Sequence, residues 1–167
     1  MTKLTELDLE FNFSDAIEAI QFDNDAYHAG STIQRVDFIV EYEDCYRFIE
    51  VKDPDIPGAA NIEGFINKLQ SGKLIQSLSG KYRDSLFFRI IQNKADKKFE
   101  YIVLLSMSTL DVPLLLSKQD ELLRSIPFRH IDWSDNSVTA CVILNMQQWK
   151  RRFGENSVRR LSDGGII

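Results

Sequence analysis

The chain of 167 residues contains two cysteines and two histidines. Cys45 and Cys141 stand far apart in apolar runs, which excludes a clustered thiolate metal site and predicts buried free thiols. His28 and His130 lack ligand spacing. His28 falls in a loop and reads as an ordinary surface residue, or as a substrate contact from there. No apolar run is long enough to span a bilayer. The opening residues, MTKLTELDLEF, are acidic and lack the apolar stretch of a signal peptide. No repeat, low-complexity tract or linker divides the chain. These absences predict one domain over residues 1–153, a frayed tail over 154–167, a reducing cytoplasm and no membrane partner.

A composition of 44% hydrophobic and 27% charged residues suits a folded core. The net charge of −5 is not that of a typical nucleic-acid binder, but it is unevenly spread. Residues 1–67 carry net −11 and residues 68–98 carry net +6. The basic segment includes Lys68, Lys73, Lys81 and Arg83, a surface that could draw phosphate towards the acidic half. The simpler account is a solvated helix face. Lys150, Arg151 and Arg152, with Arg159 and Arg160, could likewise hold a phosphate backbone or form a charged helix end.

Apolar periodicity predicts a helix over 13–22, a loop over 23–31 with room for a short strand near Tyr27, and a hairpin from strands over 34–42 and 45–52. It then predicts helix over 61–92, with Gly72 and Gly80 as kinks or close-packing points. A strand over 99–106, a helix over 113–126, a strand over 137–144 and a helix over 146–153 follow. This order implies an α/β protein with a mixed sheet flanked by helices.

The hairpin RVDFIVEYEDCYRFIEVKD carries the chemistry. Side chains alternate along a strand. Tyr46, Phe48, Glu50 and Lys52 therefore share one face of the second strand, and Asp37, Ile39 and Glu41 share one face of the first. A two-residue loop at Glu43-Asp44, or a four-residue loop over Tyr42–Cys45, sets Ile39 against Phe48 and Asp37 against Glu50, whereas a three-residue loop would shift the alignment by one residue. Opposed carboxylates repel and need compensation. A divalent cation would supply it, and Mg²⁺ takes one or two carboxylates plus waters and a phosphate oxygen. Lys52, one step along the same face, would orient a water or offset phosphate charge. Asp53 and Asp55 sit in Pro-rich turn sequence, and Asp53 should point away from Glu50 and Lys52.

Asp37 followed by Glu50-Val51-Lys52 at the end of the next strand resembles the PD-(D/E)xK nuclease superfamily, which includes many restriction endonucleases. The likeness covers roughly residues 13–106. It implies a restriction-endonuclease-like αβββαβ core, Asp37 and Glu50 as ligands of Mg²⁺ (or Mn²⁺ in its place), and Lys52 as catalytic lysine. It also implies a further acid from the first helix, with Glu18 the first candidate and Asp15 the second. Val36 stands where the family often has proline. Gln70, Gln76 and Tyr82 do not have the spacing of its exonuclease branches. The expected activity is phosphodiester hydrolysis in DNA, with Lys68, Lys73, Lys81 and Arg83 on the phosphates. A homodimer, or a larger complex, would supply a recognition surface. The alternatives are an inactive module of the same fold that binds nucleic acid or protein in a defence or repair assembly, and an α/β domain in which Glu-x-Lys is a chance tripeptide.

Overall fold

The structure, a computed structural model, describes residues 2–164. Alternation in the first thirteen residues builds a hairpin of β1 (Thr2–Glu6) and β2 (Leu9–Phe13), with Leu9, Phe11 and Phe13 buried. Its turn is two residues long, because Glu6 pairs with Leu9. Leu7 takes the first turn position with φ +54°. A bulky residue there costs about 1–3 kcal/mol and persists where the surroundings hold it. Asp8 does the holding: its carboxylate accepts hydrogen bonds from Ser162 Oγ at 2.6 Å and from Arg160 at 3.3 Å.

The next three strands form a meander. They are β3 (Glu18–Gln21), β4 (Phe38–Glu41) and β5 (Cys45–Lys52), paired antiparallel. Ile39 faces Phe48, so the two-residue loop sets the expected register. A one-turn helix, α1 (Asp25–His28), lies between β3 and β4. After β5 come α2 (Ile62–Gln70), α3 (Lys73–Ile91) and β6 (Lys98–Leu105), which runs parallel to β5. Then α4 (Val112–Ser125) leads to β7 (Ala140–Leu144), parallel to β6. A capping box on Asn145 starts α5 (Met146–Phe153), and β8 (Val158–Arg160) returns to pair with β2.

The result is a mixed sheet in the order β3-β4-β5-β6-β7 and a smaller sheet in the order β1-β2-β8. Period-two alternation on β5 divides the core. Tyr46 and Phe48 pack with Leu78, Tyr82 and Tyr101 on the helical side. Ile49 and Val51 pack with Phe11, Phe38 and Trp149 on the side of the small sheet. Burying such side chains is the main stabilising contribution.

Four sequence expectations are corrected. Residues 13–22 form no helix: Phe13, Ile17 and Ile20 have helical spacing, but Ile17 N–H donates to Glu41 O and β3 pairs along β4. Residues 25–28 are a helix instead of loop, capped by Asn24. The helix expected over 61–92 is two, because Gly72 adopts φ +78° and ends the first run. The tail is ordered through Gly164, with β8 as the third strand of the small sheet; residues 165–167 lie outside the described part. Cys45 and Cys141 are free and buried, as expected, and burial pushes their thiols up to about 11 and about 12. No described helix is long and apolar enough to cross a membrane.

Candidate active site

The site forms where β4 begins and β5 ends, on the helical side of the sheet. Asp37 sits one residue before β4, and its Oδ2 accepts a 2.6 Å hydrogen bond from Val51 N–H. That bond fixes the carboxylate against the neighbouring strand. Glu50 projects from β5 to the same side and is fully buried. Lys52 Nζ and Lys81 Nζ each donate to Glu50 Oε1 at 2.5 Å. Glu50 Oε2 is buried and has no hydrogen-bond partner among the described residues. Lys81 Nζ also lies 3.6 Å from Asp37 Oδ1. The opposed acids expected from register are therefore present, bridged by an ammonium group.

Lys81 reaches the site because α3 is docked closely on the segment before Asp37. Gly80 permits the approach: a Cβ there would fall 2.5 Å from the Gln34 side chain. Gln34 N–H donates to Asp84 Oδ2 at 2.9 Å, and Val36 N–H donates to Ser85 Oγ at 3.1 Å. These bonds set the turn of α3 that carries Lys81.

Two further acids arrive from elements outside the hairpin. One carboxylate oxygen from each of Glu6, Asp23 and Asp37 lies within 4.8 Å of the others. Glu6 ends β1 and Asp23 follows β3. Gln21 Nε2 donates to Glu6 Oε2 at 2.9 Å and to Asp23 Oδ1 at 3.2 Å, which holds the pair together. Phe22 N–H donates to Asp37 O at 2.7 Å, and the His28 imidazole Nε2 bonds Phe22 O at 2.7 Å. His28 is thus a buried residue among Phe22, Tyr27 and Phe88, not a surface one.

Burial, and then the charge of Glu50, push the Asp37 carboxyl up to about 7. Burial, and then Asp23, raise Glu6. Lys81 is desolvated, yet the charges of Glu50 and Asp37 raise it overall. Glu6, Asp23 and Asp37, with Lys52 and Lys81, line a cleft of about 410 Å³, to which Leu7, Pro54, Ala59, Asn61, Ile62 and Phe65 also contribute. Glu50 is buried and meets the cleft only through the two lysines bonded to it.

The donor set suits a hard divalent cation. It consists of carboxylate oxygens, one of them buried without a partner, and Lys81 holds a positive charge between two of them. Glu6, Asp23 and Asp37 bring their oxygens close enough together to hold such an ion. Glu50 is not one of that group, although it shares Lys81 with Asp37.

Glu18 does not join them. It is exposed on β3, paired across from Glu41 and 3.8 Å from Lys94. Gln21, not Glu18, pairs with the residue after Asp37, and three residues of strand separate the two by about 10 Å. Asp15 lies beyond it, in a depression with Tyr42 and Arg152. Lys68, Lys73 and Arg83 are exposed and do not line the cleft, whereas Lys81 is part of it. Asp53 is held away from Glu50 by a bidentate pair with Arg160, at 2.7 and 2.8 Å. In the basic C-terminal cluster, Arg160, Arg159 and Lys150 pair with Asp53, Glu10 and Glu155 respectively. Sequence reasoning missed Glu6 and Asp23, and took Lys81 for a surface contact. The alternation Leu4-Thr5-Glu6 was the available signal for a strand ending on an acid. No protein-family model, curated protein or solved structure matches the chain.

Proposed function

We propose that the protein is a metal-dependent nuclease of the PD-(D/E)xK type, acting on DNA. The supporting observation is the convergence of Asp37, Glu50 and Lys52 on one side of a β4–β5 hairpin, with α2, α3 and a parallel β6 following. The meander β3-β4-β5 with its parallel continuation fits the strand plan of that superfamily. In this reading Glu6, at the end of β1, and Asp23, two residues after β3, would take the place of the acid expected from a leading helix.

A bound Mg²⁺ would polarise a phosphate oxygen and lower the pKa of a coordinated water. The residues' own tasks are separable. Val51 N–H keeps Asp37 Oδ2 in place, so Oδ1 is the oxygen free to face a ligand. Glu50 presents Oε2, which is buried and has no hydrogen-bond partner among the described residues. Lys52, with a quarter of its side chain exposed, can leave Glu50 Oε1 for a water or a phosphate oxygen. Lys81 balances the carboxylates and offsets phosphate charge once a substrate is bound.

A second reading has one observation in its favour. Lys52 and Lys81 already neutralise Glu50 without an added cation. A module that binds nucleic acid or protein without cleaving it would need no more than this.

One experiment separates the two. Mg²⁺ and Mn²⁺ are titrated by calorimetry into the wild type and Glu50→Gln, and plasmid DNA is incubated with wild type and Lys52→Ala. The nuclease reading expects metal binding that Glu50→Gln weakens, and cleavage that Lys52→Ala abolishes while circular dichroism stays unchanged. A folded wild type that neither binds the ions nor cuts DNA overturns it.

A further inference from the structure

The mouth of the cleft has an unusual apolar residue. Leu7 is 54% exposed at the β1–β2 turn, directly after Glu6, and it lines the cleft. A two-residue hairpin turn with only its first residue at positive φ normally places glycine there. Leu7 has φ +54° and Asp8 does not share the positive sign. The turn is held from the C-terminal strand through Asp8, Ser162 and Arg160, so the leucine is kept in a strained, solvent-facing position. A second apolar side chain at the mouth, Ile62, is 44% exposed at the start of α2. Phe65, almost one turn further, lines the same cleft. Leu7 and Ile62 belong to neither core cluster, whereas Phe65 is partly buried and also packs against the core.

Two of the acids are buried, while Glu6 and Asp23 are half-buried. Glu50 is 0% exposed and Asp37 is 3% exposed. The cleft of about 410 Å³ falls within the roughly 300–1,000 Å³ of small-molecule sites. A stiff duplex can bring one phosphate to recessed carboxylates only where the rim leaves room for its partner strand. A single strand can bend its backbone inward, and its unpaired base then meets the apolar side chains. Aromatic side chains stack on unpaired bases with little regard to sequence, and apolar side chains pack against bases drawn into a pocket. Among the charged side chains of the cleft, Lys52 and Lys81 are the ones that can meet the phosphate, with the half-buried Glu6 and Asp23 beside them.

We infer that Leu7, with Ile62 and Phe65, forms a lip that contacts a nucleobase and selects single-stranded DNA for the carboxylate site. The inference rests on the nuclease reading above and names its substrate class.

The test uses the full chain carrying Lys52→Ala, which keeps DNA intact, in Mg²⁺. Fluorescence anisotropy measures its affinity for a labelled single strand and for the same strand annealed to its complement. Leu7→Gly is then added, and separately Ile62→Ser. Glycine relieves the positive φ, so Leu7→Gly should melt at the same or a higher temperature. The expected result is tighter binding of the single strand, with each substitution weakening it about tenfold and leaving the duplex unaffected. If the parent binds both forms equally, or if Leu7→Gly and Ile62→Ser both keep single-strand affinity, the lip is overturned and the nuclease reading stands. If the parent binds neither form and the wild type cuts no DNA, the nuclease reading falls and the lip with it. A Leu7→Gly protein that fails to fold leaves the decision to Ile62→Ser, on a different element.

Discussion

Lys81 Nζ lies 2.5 Å from Glu50 Oε1, although thirty residues separate the two along the chain. The same ammonium reaches Asp37 at 3.6 Å, so one helical lysine is the common partner of both opposed acids. Its charge opposes the rise in the Asp37 pKa more than that of Lys52 does. Lys81→Met should therefore raise the Asp37 carboxyl further above about 7. A ¹³C-carboxyl titration by NMR would measure it. An unchanged Asp37 titration would mean that water, not Lys81, supplies the compensation.

Asp37 also links folding to pH. Its carboxyl stands at about 7 in the folded protein against a usual 3.8, chiefly because burial disfavours the anion. The folded state then holds the proton more tightly than the unfolded state. This contribution to stability is fully present below about pH 4 and is lost as pH rises through about 7. Glu6, raised in the same direction, adds to the trend. Asp37→Asn can still accept from Val51 N–H but cannot ionise. It should gain on the wild type between pH 4 and pH 8, by at most about 4 kcal/mol. Urea unfolding at both pH values measures the gain, and equal differences at the two would contradict the assigned burial cost.

The pair Asp53–Arg160 joins the end of β5 to the C-terminal strand. The Asp53 side chain is fully buried, and Arg160 also donates to Ser106 Oγ at 3.0 Å. Removing one member of such a pair leaves a buried charge uncompensated and costs about 3–5 kcal/mol. Arg160→Ala should lose stability on that order in a urea melt. Asp53→Asn in the Arg160→Ala background should recover part of it, because the stranded charge is gone. A loss under about 1 kcal/mol would mean that water reaches Asp53 when the arginine is absent.

The hairpin and its acids were legible from sequence because their determinants are local. Alternation on two neighbouring strands and a two-residue loop are enough to set Asp37 against Glu50. The smaller sheet was not legible. β8 pairs with β2 across nearly the whole chain length, and nothing local in Val158–Arg160 marks it as a strand. The segment 13–22 misled for a related reason. Its apolar residues satisfy helical spacing, and the pairing of Ile20 with Ile39 is a long-range gain that periodicity does not register. That error also misplaced the additional acid. A helix would have turned Glu18 towards the hairpin, whereas a strand carries it away and delivers Asp23 instead.

The position of that acid is testable by charge removal. Glu6→Gln and Asp23→Asn each take one oxygen anion from a group whose members lie within 4.8 Å. Both substitutes keep the shape of the side chain, and Gln21 can reorient its amide to remain bonded. If the cation is shared with Asp37, each change should weaken Mn²⁺ binding about tenfold, read by calorimetry at pH 8, where Asp37 is ionised. Glu18→Gln is the control. Its carboxylate is half exposed and 3.8 Å from Lys94, so its removal should leave the Mn²⁺ isotherm unchanged. A loss on Glu50→Gln with none on Glu6→Gln or Asp23→Asn would confine the ion to the hairpin pair. The opposite pattern would place it beside β1 and leave Glu50 to the two lysines that already hold it.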